Sequence, residues 1–228
     1  MIEIKLTILS LTILFFVGCD NPDKKADKQT PQEFVKKEYV PVKIVPETVT
    51  NITMNDSIRL LIKERGRVIA AVTQKTLKKE LMKAVTDGGA VHAVSFCNVR
   101  AMEITDSISL AEKVKIRRIA KKFRNPLNEM DTNIANLYKG YLIHWLNGGR
   151  PYATISWNYY GSPVYYYPIN TGALCLNCHG TVGEDVKPEI AAKIAELYPG
   201  DQAMDFRLND PRGLWEITFP EYKVVAVD

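Results

Sequence analysis

The spacing of apolar residues changes period once along this chain, and that change leaves few folds open to it. Before Asn147-Gly148-Gly149, apolar side chains recur every three or four residues, as helices with one buried face require. Ile58, Leu61, Ile62, Val68, Ile69, Val72, Leu77, Leu81 and Val85 outline a first helix. Asp56-Ser57 can cap it, and Asp87-Gly88-Gly89 should end it. Val94, Cys97, Ala101 and Ile104 mark a second helix, from about residue 90 to 107. A third is expected near Leu110 to Phe123, closed by Arg124-Asn125-Pro126, and a fourth from about Thr132 to Trp145. After the paired glycines the period becomes two. Tyr152 to Asn158 and Pro163 to Pro168 are rich in aromatic and β-branched residues, and Tyr159-Tyr160-Gly161-Ser162 supplies a turn between them, so this stretch reads as a hairpin. Glu189 to Leu197 is a short helix, and Leu214 to Phe219 and Lys223 to Val227 read as closing strands. Helices first and an antiparallel sheet second make the chain α+β.

Directly after the hairpin comes Cys175-Leu176-Asn177-Cys178-His179. The C-x-x-C-H spacing is that of a covalently attached c-type haem. Two thiols separated by two residues reach both vinyl groups of one porphyrin, and the next residue, His179, lies under the iron. Two plainer readings are weaker. A thioredoxin-like dithiol should follow a strand and open a helix in a βαβ unit, whereas the approach here is the turn-like Ile169-Asn170-Thr171-Gly172. A structural zinc site needs four ligands, and the sequence has no second C-x-x-C.

The start of the chain indicates where such a cofactor would be attached. Leu6 to Val17 is apolar except for Thr7, Ser10 and Thr12. That is too short to span a bilayer and the right length for a signal-peptide core. It runs into Phe16-Val17-Gly18-Cys19, a lipoprotein-type signal in which Cys19 is cleaved before and acylated. The expected division is a signal peptide over residues 1–18, a tether over 19–49 rich in proline and alternating charge, and one haem domain over 50–228. An exported protein held by lipid on a membrane surface, in a periplasm, follows from this reading. The net charge of +4 is small. The one dense basic run, Lys113 to Arg124, is expected to be a solvated helix face, with haem propionates or an anionic partner as the other uses. A nucleic-acid partner is not expected.

Of the four cysteines, Cys19 is assigned to lipid and Cys175 and Cys178 to haem, which leaves Cys97 alone. It lies on the inward stripe of the second helix. It is either an inert buried thiol or the second axial ligand of the iron, and periodicity leaves both open. The rivals for that ligand position are His92, His144 and Met82, Met102, Met130 or Met204. His92 is five residues before Cys97, roughly 140° around the helix, and is off the stripe.

The sequence also resembles a family of exported single-haem domains, some free-standing and some forming the sensing ectodomains of histidine kinases or cyclases. The matching residues are Gly88-Gly89 with Ala93, Cys97 and Ala101; Arg124-Asn125-Pro126 with Asn128; Tyr167-Pro168; Cys175 to Gly180; Tyr198-Pro199-Gly200-Asp201 with Ala203; and Gly213-Leu214-Trp215. The resemblance implies a PAS-like sheet preceded by long helices, His179 as proximal ligand and Cys97 as distal ligand. In one departure, Arg117-Arg118-Ile119-Ala120 stands where the family has a hydroxyl-bearing residue.

A thiolate ligand favours ferric iron, so the potential should fall below that of a His/Met cytochrome. A ligand that leaves on reduction would make a switch. The resulting expectation is a redox or gas sensor, or a low-potential redox protein, acting through a separate protein partner. The alternatives are a haem enzyme of sulfur oxidation, with Arg100, Arg124 and Arg150 as candidate pocket cations, and a plain electron-transfer cytochrome. No catalytic acid–base or nucleophile arrangement stands out.

Overall fold

The computed structural model describes residues 39–225. The expected signal segment, the acylated Cys19 and the tether up to residue 38 lie outside the described residues. From Tyr39 on, the chain packs on the domain: the Tyr39 hydroxyl donates to Asp106 Oδ2 at 2.8 Å. Tyr39, Pro41, Val42 and Ile44 line a cavity of about 130 Å³ together with Met102 and Thr105. The ordered fold thus begins before residue 50.

The element order is β1 (Thr50–Ile52), α1 (Asp56–Glu112), β2 (Lys115–Ile119), a 3-10 turn (Pro126–Asn128), α2 (Thr132–Leu146), β3 (Thr154–Trp157), β4 (Pro163–Asn170), α3 (Ala173–His179), α4 (Pro188–Leu197), β5 (Pro211–Thr218) and β6 (Tyr222–Val224). This is the expected α+β arrangement. β2, β5, β4 and β3 form one antiparallel sheet in that order, and β1 pairs with β6 in parallel. No helix among the described residues is long and apolar enough to cross a membrane.

The two expected N-terminal helices are one element broken at Gly89, whose φ of 78° and ψ of 179° are non-helical. Only glycine adopts that region without strain. The cap is Asn55 rather than Asp56-Ser57; its side chain accepts from the Ile58 N–H.

The expected third helix is absent. α1 stops where Lys113 turns into the left-handed region at φ 56°, and β2 follows. The Ile116 N–H donates to Ser109 Oγ, and β2 pairs with β5 from Lys115↔Thr218 to Ile119↔Leu214. Arg118, a charge on the same face as Ile116, breaks the alternation and hid the period of two. The basic run is therefore not a helix face. Arg117 instead pairs across strands with Glu216 at 3.1 Å, and Arg118 points to the opposite side of the sheet from Arg117.

Both faces of the sheet are covered. On one, Ile116, Tyr165, Trp215 and Ile217 pack under Ile62, Ile69 and Ala70 of α1. Gly66 lets the helix lie directly on the sheet, because a Cβ there would fall 2.3 Å from Tyr165 Cγ. On the other face, Ile119, Val164, Tyr166 and Leu214 pack under Tyr138 and Tyr141 of α2. Beyond the break, Val94 of α1 joins Val186, Ile190 and Ile194, which seats α4 on the second half of the long helix.

Candidate functional site

The C-x-x-C-H run occupies α3, entered directly from the end of β4. The approach is thus a strand leading into a helix, not the turn expected from Ile169 to Gly172. It still differs from a βαβ crossover, because β4 and β5 on either side of the motif are antiparallel. Thr171 fixes the junction. Its N–H and hydroxyl both donate to Asp210 O, and its carbonyl accepts from the Asn209 N–H.

His179 is held by the segment from Asp201 to Phe206. Its Nδ1 donates to Ala203 O at 2.7 Å. The Phe206 N–H donates to His179 O, and the Phe206 ring stands edge-on to the imidazole, 6.4 Å between centroids. With the proton of the neutral ring committed at Nδ1, the Nε2 lone pair is left to bind a metal. Burial, followed by the charges of Arg212 and Arg124, pushes the His179 pKa well below its ordinary value. The ring is therefore neutral at physiological pH, as a metal ligand must be.

Arg124, from the Arg124-Asn125-Pro126 run, ties this segment to the motif. Its Nη2 donates to Cys178 O at 2.6 Å and to Asp201 Oδ2 at 2.9 Å, and its Nε donates to the same Oδ2 at 3.1 Å. Nη2 also reaches Ala203 O and Met204 Sδ. The Gln202 N–H donates to Phe123 O. The R-N-P run, the C-x-x-C-H helix and the loop that orients His179 are therefore one bonded unit.

Groups of this site act on Cys97. Burial raises its thiol pKa. Arg118 and Arg124 pull it down, and the Cys178 thiol pushes it up again. The thiol sits on the part of α1 beyond Gly89, where the charges of the motif and of Arg118 and Arg124 act on it. All three described cysteines are free thiols and half-buried. The rival ligands fare differently. His144, on α2, is exposed and bonded through Nε2 to Arg150 O. The His92 ring lies over Gly88. Met82 is exposed, Met130 packs under α2, and Met102 lines the cavity near Tyr39. Met204 reaches the site, with its sulfur against Arg124. Of the candidate pocket cations, Arg100 is paired with Glu103 on the surface and Arg150 is exposed, so neither joins Arg124. Sequence reasoning named Arg118 only as part of the basic run and missed Arg212; the charges of both also reach His179.

Paired thiols on a short helix, a neutral imidazole presenting Nε2 and a third thiol on another element fit the donor set of a covalently attached haem. Among the described residues, no three His, Cys, Asp or Glu side chains converge as a protein-only metal site would need; a haem iron takes only two protein ligands.

The profile of the Tll0287-like family matches residues 37–220. The chain belongs to that family. Among solved structures, it resembles the crystal structure of the cyanobacterial haem protein Tll0287, with a TM-score of 0.50 and 21% identity, over 75% of this chain and 99% of that one. That likeness is one of fold. No curated protein matches the chain. The family match spans Cys97 and the three bonded parts of the site: the R-N-P run, the C-x-x-C-H helix and the Asp201 to Phe206 segment.

Proposed function

We propose that this protein is a monohaem c-type cytochrome in which Cys175 and Cys178 hold the porphyrin covalently, His179 is the proximal ligand and Cys97 the distal one. The observation that carries the reading is the Nδ1 bond from His179 to Ala203 O, which presents Nε2 beside two free thiols on one helix. The haem protein Tll0287, with a similar fold, supports it. The bound group would supply a redox-active iron. The chain's own residues do the rest. Ala203 and Phe206 orient the imidazole, Arg124 locks the loop that holds it, and Cys97 brings a thiol whose proton must leave before it can ligate.

A thiolate in that position favours the ferric state. We therefore read the protein as a low-potential redox protein or a redox or gas sensor. Loss of Cys97 from the iron would free the half of α1 that follows Gly89. Cys19 would be acylated after export and hold the protein on a membrane surface, where a separate redox or signalling protein would receive the output.

The test is to produce the protein in cells able to mature c-type cytochromes. A haem-stained band should survive denaturing electrophoresis and vanish in Cys175→Ala/Cys178→Ala. Electron paramagnetic resonance should give a low-spin thiolate signature that is lost in Cys97→Ser. Carbon monoxide added to the ferrous protein should displace Cys97; a thiolate that never leaves would rule out the gas-sensor reading. Palmitate labelling should be lost in Cys19→Ala.

A further inference from the structure

Two arginines at the site have no carboxylate partner. Arg124 is neutralised by Asp201, but neither Arg118 nor Arg212 forms an ion pair among the described residues. Different devices bring them there. Arg118 is on β2, opposite Trp215. It therefore shares the sheet face that α1 covers, and Cys97 is the group whose charge acts on it most. Arg212 sits at an irregularity. Ile169 pairs with Gly213 and Asn170 with Pro211, so Arg212 is an extra residue on β5 without a cross-strand partner. Such a bulge bends the strand and re-aims a side chain. The guanidinium ends up over the Phe206 ring, 5.6 Å from its centroid, and its charge bears on His179 more than any other does.

Both side chains are half-buried, and burial is the largest influence on each: it lowers Arg118 and, with the repulsion of Arg118 and Arg124, brings Arg212 down to about 10. Three guanidiniums repelling one another around a single aspartate leave two positive charges in excess. Desolvated cations of this kind are retained where anions meet them, and guanidinium matches carboxylate through two parallel hydrogen bonds.

We propose that Arg118 and Arg212 form a dicarboxylate-binding pair that takes up the two propionates of the porphyrin, Arg118 from the Cys97 side and Arg212 from the His179 side. The inference rests on the haem reading above. It would add a polar anchor to the covalent ones. No bond is made or broken in it. Two carboxylates meet two guanidiniums, and the excess charge is cancelled.

Resonance Raman spectroscopy tests it, because the propionate bending band moves with hydrogen bonding to the carboxylate. The holoprotein, Arg118→Gln and Arg212→Gln are compared at equal covalent haem, measured by the pyridine haemochrome. Each variant should keep its haem and shift part of the band toward the position of a water-exposed propionate, and the double variant should shift all of it. Arg118→Lys and Arg212→Lys keep the charge but lose the fork. They should show smaller shifts in the same direction, and they serve if a glutamine variant does not fold. An unmoved band at unchanged haem content overturns the proposal and leaves the haem reading standing. So does an Arg118 effect confined to the iron–sulfur stretch, which would make that residue a partner of Cys97 alone. A wild-type protein without covalent haem brings both down.

Discussion

Replacing Arg124 by leucine tests whether the site is one bonded unit. The pair with Asp201 is largely dry, with the two side chains 13% and 8% exposed. Leucine fills much of the volume but leaves Asp201 charged and unpartnered on that side. It also strips a donor from Cys178 O and Ala203 O. Removing one partner of a buried ion pair costs about 3–5 kcal/mol, because the remaining charge stays desolvated. Asp201 keeps its bond from the Ala203 N–H at 2.8 Å, which favours the middle of that range, about 4 kcal/mol. In a domain of this size that lowers the melting temperature by about 8–16 °C. It also moves the urea midpoint by about 2 M for a slope of about 2 kcal/mol per molar. Urea unfolding followed by circular dichroism measures it. The decisive comparison is Arg124→Leu/Asp201→Asn. If the orphaned carboxylate is the source of the loss, the double variant recovers about half of it, since asparagine retains the bond from Ala203. A double variant no more stable than Arg124→Leu would refute the assignment of the penalty to Asp201.

Three further outcomes follow from the packing. Gly66→Ala places a methyl 2.3 Å from Tyr165 Cγ, and α1 must lift from the sheet; a loss of about 3 kcal/mol is expected from overpacking, read as a lower urea midpoint, and an unchanged midpoint would mean that the contact between α1 and β4 is slack. Gly213→Ala drives a methyl to 2.3 Å from the Ile119 carbonyl oxygen, a backbone atom that cannot rotate away; it should destabilise at least as much and weaken the pairing of β2 with β5, seen as faster amide exchange at Ile119 than in the parent. Tyr39→Phe removes the bond to Asp106 and should cost about 1 kcal/mol; limited proteolysis should then cut the segment between residues 39 and 49 sooner, and equal cutting rates would show that the hydroxyl does not hold the segment down.

How much of this was legible in the sequence depends on whether a residue's role is set locally. The break at Gly89 follows from two adjacent glycines, α2 from its period and the Asn147-Gly148-Gly149 that follows it, and the hairpin from alternation around Asn158 to Ser162. The C-x-x-C-H run announces its own chemistry. β2 was hidden because Lys115, Arg117 and Arg118 lend a strand the composition of an exposed helix. Only the pairing with β5 reveals which of them faces inward. Arg212 was hidden more deeply. It stands two residues before Leu214, so simple alternation would put it on the α2 face, and only the register slip opposite Asn170 redirects it. Cys97 falls between these cases. Periodicity turned it inward, but nothing local distinguished a ligand from a packed thiol. The proposed ligand role draws instead on Cys178, Arg118 and Arg124, whose charges act on it from distant parts of the chain. The ligand proposed in the motif is written into five consecutive residues, whereas the one proposed on α1 is recognisable only once α1, β2 and α3 have met.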